Sequence, residues 1–341
     1  MKYSSRFFLY APFGLLVGLA IGVSVHWFSA ANALSRYLDA ANGHQIAPGV
    51  HFSFAKKQMA GFPFRLDVIA DDLRIEAPGA HGPVQWRSEH FAMHMLDYGR
   101  VQAIFEAAGK QTLTWTDDNG KKQGLEFLPA LLRASAIESG GKLSRFDLEL
   151  IGAASPALSA ANVQFHMRRD PDMDALDVAF NVDEIHLAPE FKSAFGPLIS
   201  RIRLDAKIQT ASALGDLLSG SRDWRAVAEN WRKHSGVLDI DQLDVAWGKT
   251  DVLASGTLML DSAHRTTGIL GLEIAGYQTL AAEVARRGAV TGADKGLFSS
   301  LMDSAAQNSG ASADRLPLQL GFKDGIAYIG QMPAGFVSAL Y

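Results

Sequence analysis

Long stretches of the chain alternate apolar and polar residues with a period of two, and this constrains the fold more than any other feature. Phe64-Arg65-Leu66-Asp67-Val68 and Phe146-Asp147-Leu148-Glu149-Leu150 follow it, as does the run carrying Leu176, Val178, Phe180 and Val182. The pattern returns at Leu238 and Ile240, slips, and resumes at Leu243, Val245 and Trp247. It continues through Leu258 and Leu260, then Leu270, Leu272 and Ile274. Successive strand side chains point to opposite faces, so each run has one apolar and one wet face. One-sided sheets are the habit of antiparallel pairing. The punctuation agrees. Asn119-Gly120 separates Thr112–Thr116 from Lys121–Phe127, and Asp324-Gly325 separates Leu316–Phe322 from Ile326–Gly330. Both dipeptides suit a type I′ hairpin turn. Pro78-Gly79 and Gly140-Gly141 mark further breaks.

Helical periodicity is rarer. Asp223–Lys233 places Trp224, Val227, Ala228 and Trp231 on one face, with Arg222, Arg225, Arg232 and Lys233 around the other. Tyr277–Arg287 reads as a second helix ended by Gly288. Ala293–Ala306 reads as a third, inside a Gly-, Ser-, Ala- and Asn-rich stretch, Gly292–Asp314, that also reads as a loop. The expected class is α+β, mainly β: a curved or rolled antiparallel sheet with covering helices. No linker separates domains, although a loose division falls near Ala211–Ser221.

The N-terminus carries a different signal. Phe7–Phe28 is a largely apolar run of 22 residues with no formal charge except a possible one on His26. At ~1.5 Å per helical residue it is long enough to cross a hydrocarbon core of ~30 Å. Lys2 and Arg6 precede it, so the positive-inside bias leaves residues 1–6 in the cytoplasm and exports the body. Trp27 and Phe28 fall at the far end, where aromatic rings favour the interface. The expectation is a single-pass bacterial inner-membrane protein with residues 34–341 in the periplasm. The alternative is a signal peptide cut near Ala33, at Ala31-Asn32-Ala33, which frees a soluble periplasmic body. The length of the apolar run favours the anchor. Gly14, Gly18 and Gly22 form a small-residue stripe that suits helix pairing, although Gly is common in membrane spans generally.

Composition narrows the chemistry. The 341 residues carry a net charge of −4, which argues against a nucleic-acid partner. With no cysteine, thiolate nucleophiles, disulfides, Fe–S clusters and Cys-ligated zinc are excluded. At 48% hydrophobic residues the body can bury a core. His90 and His94, in SEHFAMHML, share a face but lack further ligands and the HExxH pattern. Asp170, Asp172 and Asp174 read as an acidic turn, because Ala175 and Asn181 stand where an EF-hand needs Gly and Glu. Asp71 and Asp72 are expected on opposite strand faces and form no acid–base dyad. No nucleophile elbow, phosphate loop or dinucleotide fingerprint is present. No catalytic residue, metal or cofactor is expected.

Three passages carry a resemblance. GFPFRLDVIADDLRIEAPG (Gly61–Gly79), the run from Trp231 to Tyr277 containing AWG and ASGTL, and LPLQLGFKDGIAYIGQMPAG (Leu316–Gly335) resemble a domain-of-unknown-function family of membrane-anchored bacterial envelope proteins. The later strands are more distantly similar to AsmA-like envelope proteins. That likeness implies a curved sheet with a greasy inner face, and phospholipid handling or outer-membrane homeostasis. It transfers no functional residue.

The leading expectation is a non-catalytic protein that binds or presents a hydrophobic ligand, plausibly lipid, in envelope maintenance. A scaffold in an envelope protein complex is the alternative, and an envelope hydrolase a distant third. The groove candidates are Phe64, Leu66, Val68, Leu148, Leu150, Val178, Phe180, Val182, Val245, Trp247, Leu258 and Leu260. Trp224 and Trp231 are candidates to face a membrane, with packing onto the sheet as the weightier reading. An open apolar trough favours the binder, a filled core with an exposed apolar patch the scaffold, and a cleft of convergent polar groups the enzyme.

Overall fold

The computed structural model describes residues 5–79, 81–96, 102–191, 193–215, 223–286 and 315–341. Among them, eighteen strands form one sheet. In chain order these are β1 His44–Ala47, β2 Val50–Ser53, β3 Lys56–Ala60, β4 Arg65–Gly79, β5 Gly82–Leu96, β6 Gln102–Thr116, β7 Lys122–Phe127, β8 Leu131–Ser139 and β9 Lys142–Ala154. They continue as β10 Leu158–Arg169, β11 Ala175–Leu187, β12 Leu198–Gln209, β13 Leu238–Trp247, β14 Thr250–Leu260, β15 Thr266–Ala275, β16 Leu316–Lys323, β17 Ile326–Ile329 and β18 Met332–Phe336. Among the described residues three helices accompany them: α1 Ser5–Ala41, α2 Trp224–Lys233 and α3 Tyr277–Arg286.

Pairing is antiparallel throughout and follows the chain. The short β2 and β3 lie end to end along β4, and β7 and β8 lie end to end along β6. From β8 to β18 each strand pairs with the next. The sheet runs without a break past residues 211–221, because β12 pairs with β13 from Ile199↔Trp247 to Ile208↔Leu238. The expected slip after Ile240 is a register shift between Ile240 and Leu243. It keeps the apolar residues on one face despite the change of parity.

Turn chemistry departs from expectation at one site. Asp324 and Gly325 both have positive φ (53° and 79°), as a type I′ turn requires. Around Asn119-Gly120 only Gly120 does (75°), and Thr116 pairs with Lys122 across a longer loop. That loop is organised by Asp117, whose carboxylate accepts the N–H groups of Asn119 and Lys121.

A row of irregularities bends the sheet. Asp72 in β4 has φ 55°, the β5–β6 register shifts between Ser88 and His90, and Gly109 in β6 has φ 71°. Asp72 faces Glu89, since Asp71 pairs with His90 and Leu73 with Ser88. Glu89 in turn accepts the N–H of Lys110. Gly109 and Lys110 oppose Glu89 in one bulge, which increases local twist and curvature, and beside it Asp72 and Glu89 break the β4–β5 ladder without a shift of register. The turned backbone at Asp72 brings Asp71 and Asp72 onto the same polar face, correcting the opposite-face expectation. Asp71 bonds His90, and Asp72 pairs with Arg74 and Arg87.

The remaining helical expectations divide. Asp223 caps α2, its carboxylate accepting from the Arg225 N–H. The helix Tyr277–Arg287 is found as α3 up to Arg286. The proposed third helix and the Gly292–Asp314 stretch lie outside the described residues.

Candidate functional site

The apolar face of the curved sheet encloses a cavity of about 650 Å³. Ile46, Phe52 and Phe54 border one side, and Phe146 and Leu148 of β9 the other. Between them lie Val68, Ala70, Leu73 and Ile75 of β4, Trp86, Phe91 and Met93 of β5, and Phe105, Ala107 and Leu113 of β6. Phe127, Leu132 and Ala134 complete the wall toward β9. On a flat sheet β2 and β9 would stand five strand spacings apart, about 24 Å. Their side chains border one cavity because the bulged strands curl. Phe105 stacks on Phe91 at 6.2 Å between ring centres, and Trp86 meets Phe91 edge-on at 6.2 Å.

One buried polar group shapes this wall. Gln111 is 0% exposed. Its amide nitrogen donates to the carbonyls of Ala108 and Gly109, both at 3.1 Å, and its oxygen accepts the Trp86 indole N–H at 3.2 Å. The side chain thus pairs backbone groups freed by the bulge and orients a cavity-lining ring. Lys57 and Glu106 are the charged residues on the border. Lys57 is committed to α1, donating to Ser35 Oγ and Asp39 Oδ1, both at 2.8 Å.

Helix α1 enters at one end of this face. Trp27 is 5% exposed and Ala31 4%, and both pack on Leu66, joined by Ala30, Leu34 and Met59. The Trp27 indole donates to the Arg65 carbonyl at 2.6 Å. Trp27 therefore packs against the body at the far end of the apolar run. One helical turn further, Leu38 borders the cavity.

Beyond β9 the apolar face continues but is filled. Met167, Leu176 and Ala211 form a buried cluster with Phe146, Phe165, Val178, Ile208 and Leu214. Ala206, Ile240 and Leu270 form the next, with Leu204, Leu238, Leu258 and Leu320 among its neighbours. A 3₁₀ turn, Ala211–Leu214, covers the first cluster, and α2 packs behind it through the Asn230 side-chain bond to the Ala213 carbonyl.

The sequence-derived groove residues distribute accordingly. Val68 and Leu148 border the cavity. Leu66 lies under α1. Leu150 is on the same face, opposite Leu132 and Val163. Val178 and Leu258 belong to the two filled clusters. Phe180 lies between Phe165 and Leu204, Val182 between Val163 and Ile202, and Val245 between Ile202 and Val252. Leu260 ends its strand opposite Thr266. Trp247 packs on Phe195 at 4.9 Å and donates to the Gly196 carbonyl at 2.9 Å. Phe64 precedes β4, is 57% exposed and lies beside α1, outside the cavity. Trp86, Phe91, Met93 and Phe105 were absent from the expected set. For β5 a signal was present, because Phe91-Ala92-Met93-His94-Met95 alternates behind the more conspicuous histidines.

The two candidate membrane-facing tryptophans both have partners within the body. Trp231 donates to the Gln209 carbonyl at 2.7 Å, and its ring covers Gly236. Trp224 meets Tyr341 edge-on at 5.8 Å. Between them Val227 is 1% exposed. The stripe packs inward.

The polar face carries the ionisable groups. His90 and His94 do not converge: each bonds its own aspartate, Asp71 at 3.0 Å and Asp67 at 2.9 Å. Asp170 receives the N–H groups of Asp172 and Met173 and the ammonium of Lys207, which hold its carboxyl below the ordinary value. A polar depression of about 340 Å³ contains Ser135, Arg145, Asp147, Glu149 and His166. Here Asp147 is central, accepting from Ser135 at 3.3 Å and bonding His166 at 2.8 Å. Burial pushes Asp147 up, but bonds from Arg145 and His166 outweigh it and leave its carboxyl lowered. In a Ser-His-Asp arrangement the imidazole takes the serine proton. Here Ser135 and His166 both bond Asp147.

No curated protein matches the chain. A model of a family described as uncharacterised proteins conserved in bacteria matches residues 27–337, starting at the α1 residue that packs on Leu66. The chain thus belongs to that family, DUF2125.

Proposed function

We propose that this is a non-catalytic envelope protein, tethered by α1 to the bacterial inner membrane with its body in the periplasm, and that its apolar cavity holds the hydrocarbon part of a lipid. The observation that carries the reading is the open cavity of about 650 Å³, bordered almost wholly by hydrocarbon and aromatic side chains. Its volume falls within the ~300–1,000 Å³ of small-molecule sites. Apolar surface left in water is unfavourable, and each methylene moved from water into such a wall gains about 0.8 kcal/mol. An acyl chain is the apolar molecule most abundant beside a membrane-tethered body.

Two features of α1 support a retained tether. Tyr10, Phe13, Leu15, Leu16, Leu19 and Ile21 are each more than half exposed, a surface that suits lipid and not water. Cleavage near Ala33 would cut inside a continuous helix and strip Trp27 and Ala31 from Leu66. The AsmA-like likeness rests on strand alternation and carries no part of the proposal.

Native mass spectrometry of the full chain released from mild detergent, with solvent extraction of what it carries, tests the reading. Lipid is expected to stay bound, and Ala134→Trp, which fills the cavity, is expected to lose it. Lipid-free protein accompanied by robust protein partners would favour the scaffold and sink the binder.

A further inference from the structure

We propose that the loop Gly61–Phe64 is a second membrane-inserted element, which seats the body on the leaflet that α1 crosses. The proposal rests on the tether reading of α1 and is independent of what the cavity holds.

Phe62 and Phe64 are 52% and 57% exposed, and Phe28 of α1 is 56% exposed. Phe62 stacks on Phe28 at 5.7 Å and meets Trp27 edge-on at 5.4 Å. Phe62 and Phe28 therefore form one apolar patch, and Phe64, two residues on in the loop, lies against α1 beside it. Its position is fixed, because the Trp27 indole is bonded to the Arg65 carbonyl and Leu66 is clamped under α1.

Depth follows from the neighbours. Pro63 and Phe64 border a groove against Gly18, Leu19, Gly22, Val23 and His26 of α1. Gly22 lies six residues before Phe28, about 9 Å along a helix. If the apolar run spans the bilayer, Phe64 stands level with a part of α1 already inside it. That depth matches the ~5–10 Å at which interfacial apolar faces are buried. Arg65 follows at once, with a side chain 57% exposed and paired to Asp67. It falls at headgroup level, where a long cationic side chain is favoured. The consequence is orientation: two attachments, α1 and the loop, fix the tilt of the body and hold the start of β4 at the membrane surface.

The absence of cysteine allows single labels at chosen positions. Full-length Phe64→Cys, Leu19→Cys and Asp118→Cys variants each carry an environment-sensitive fluorophore in phosphatidylcholine vesicles, with or without nitroxide-bearing phosphatidylcholine. Asp118 lies at an exposed hairpin tip, its side chain 88% accessible. The Phe64 probe is expected to lose at least about half its emission to the nitroxide, as the Leu19 probe does, while the Asp118 probe is unchanged. Quenching at Leu19 without quenching at Phe64 would overturn the loop proposal and leave the tether standing. No quenching at Leu19 would overturn both. A Phe64 probe shielded from nitroxide lipid but self-quenching between labelled copies would assign the patch to a second copy of the chain, and also overturn the proposal.

Discussion

Gln111→Leu isolates the physics that shapes the cavity. The replacement is similar in volume but removes three hydrogen bonds: two to the bulge carbonyls of Ala108 and Gly109 and one from the Trp86 indole. The site is 0% exposed, so water cannot substitute. A buried group left unpaired costs about 1–3 kcal/mol, and the leucine recovers part of this by avoiding amide desolvation. The expected net loss is about 3 kcal/mol, a large share of a stability of ~5–15 kcal/mol. Equilibrium urea unfolding of the detergent-solubilised full chain, followed by far-ultraviolet circular dichroism, measures it. Trp86→Phe removes the indole donor, so it should reduce the cost of Gln111→Leu by about 1 kcal/mol in a double-mutant cycle. A loss under about 0.5 kcal/mol, with additive single effects, would refute the idea that Gln111 secures the bulge.

Other outcomes follow from the same structure. Trp27→Ala should cost about 3–5 kcal/mol and expose Leu66 to proteolysis, as a large buried ring lost from a packed cluster does; unchanged protease resistance would contradict the docking of α1. Gly256→Ala should be strongly destabilising by thermal melt, because φ is 148° and a Cβ would stand 2.2 Å from the Ile269 carbonyl oxygen; an unchanged melting temperature would contradict it. Glu229 is held far below its ordinary value of 4.5 chiefly by Arg232, with Lys233 and Tyr341 also bonded to it. A carboxyl lowered by folding stabilises above its unfolded value and loses that stabilisation as pH falls toward the folded one. The melting temperature should therefore drop as pH goes below about 4.5, and Glu229→Gln should flatten that drop; an equal acid slope in the variant would count against this ion pair.

Much of the fold was legible because its physical signal is local. Period-two alternation located β4, β9, β11 and β13–β15, and even the slip at Ile240–Leu243 was visible as a change of parity. The cavity was less legible, because curvature is not local. It goes with the bulge at Gly109 and the adjoining ladder break at Asp72 and Glu89, which align only when three strands pair, and in β4 and β5 that break interrupts the alternation that marks an inward face. Phe64 shows the converse error. Its parity with Leu66 and Val68 placed it inside, yet β4 begins at Arg65. Trp224 and Trp231 could not be assigned from the helix alone, because their partners Tyr341 and Gln209 lie far away in sequence.

The most direct test of lipid occupancy is photo-crosslinking in membranes. A phospholipid bearing a diazirine in its acyl chain is incorporated with the full chain, irradiated, and its adducts mapped by peptide mass spectrometry. The proposed function predicts adducts on Phe91, Met93, Phe105 and Leu148, lost on Ala134→Trp while those on α1 persist. Adducts confined to residues 10–28 and the loop at 61–64, with none on the cavity wall, would contradict it.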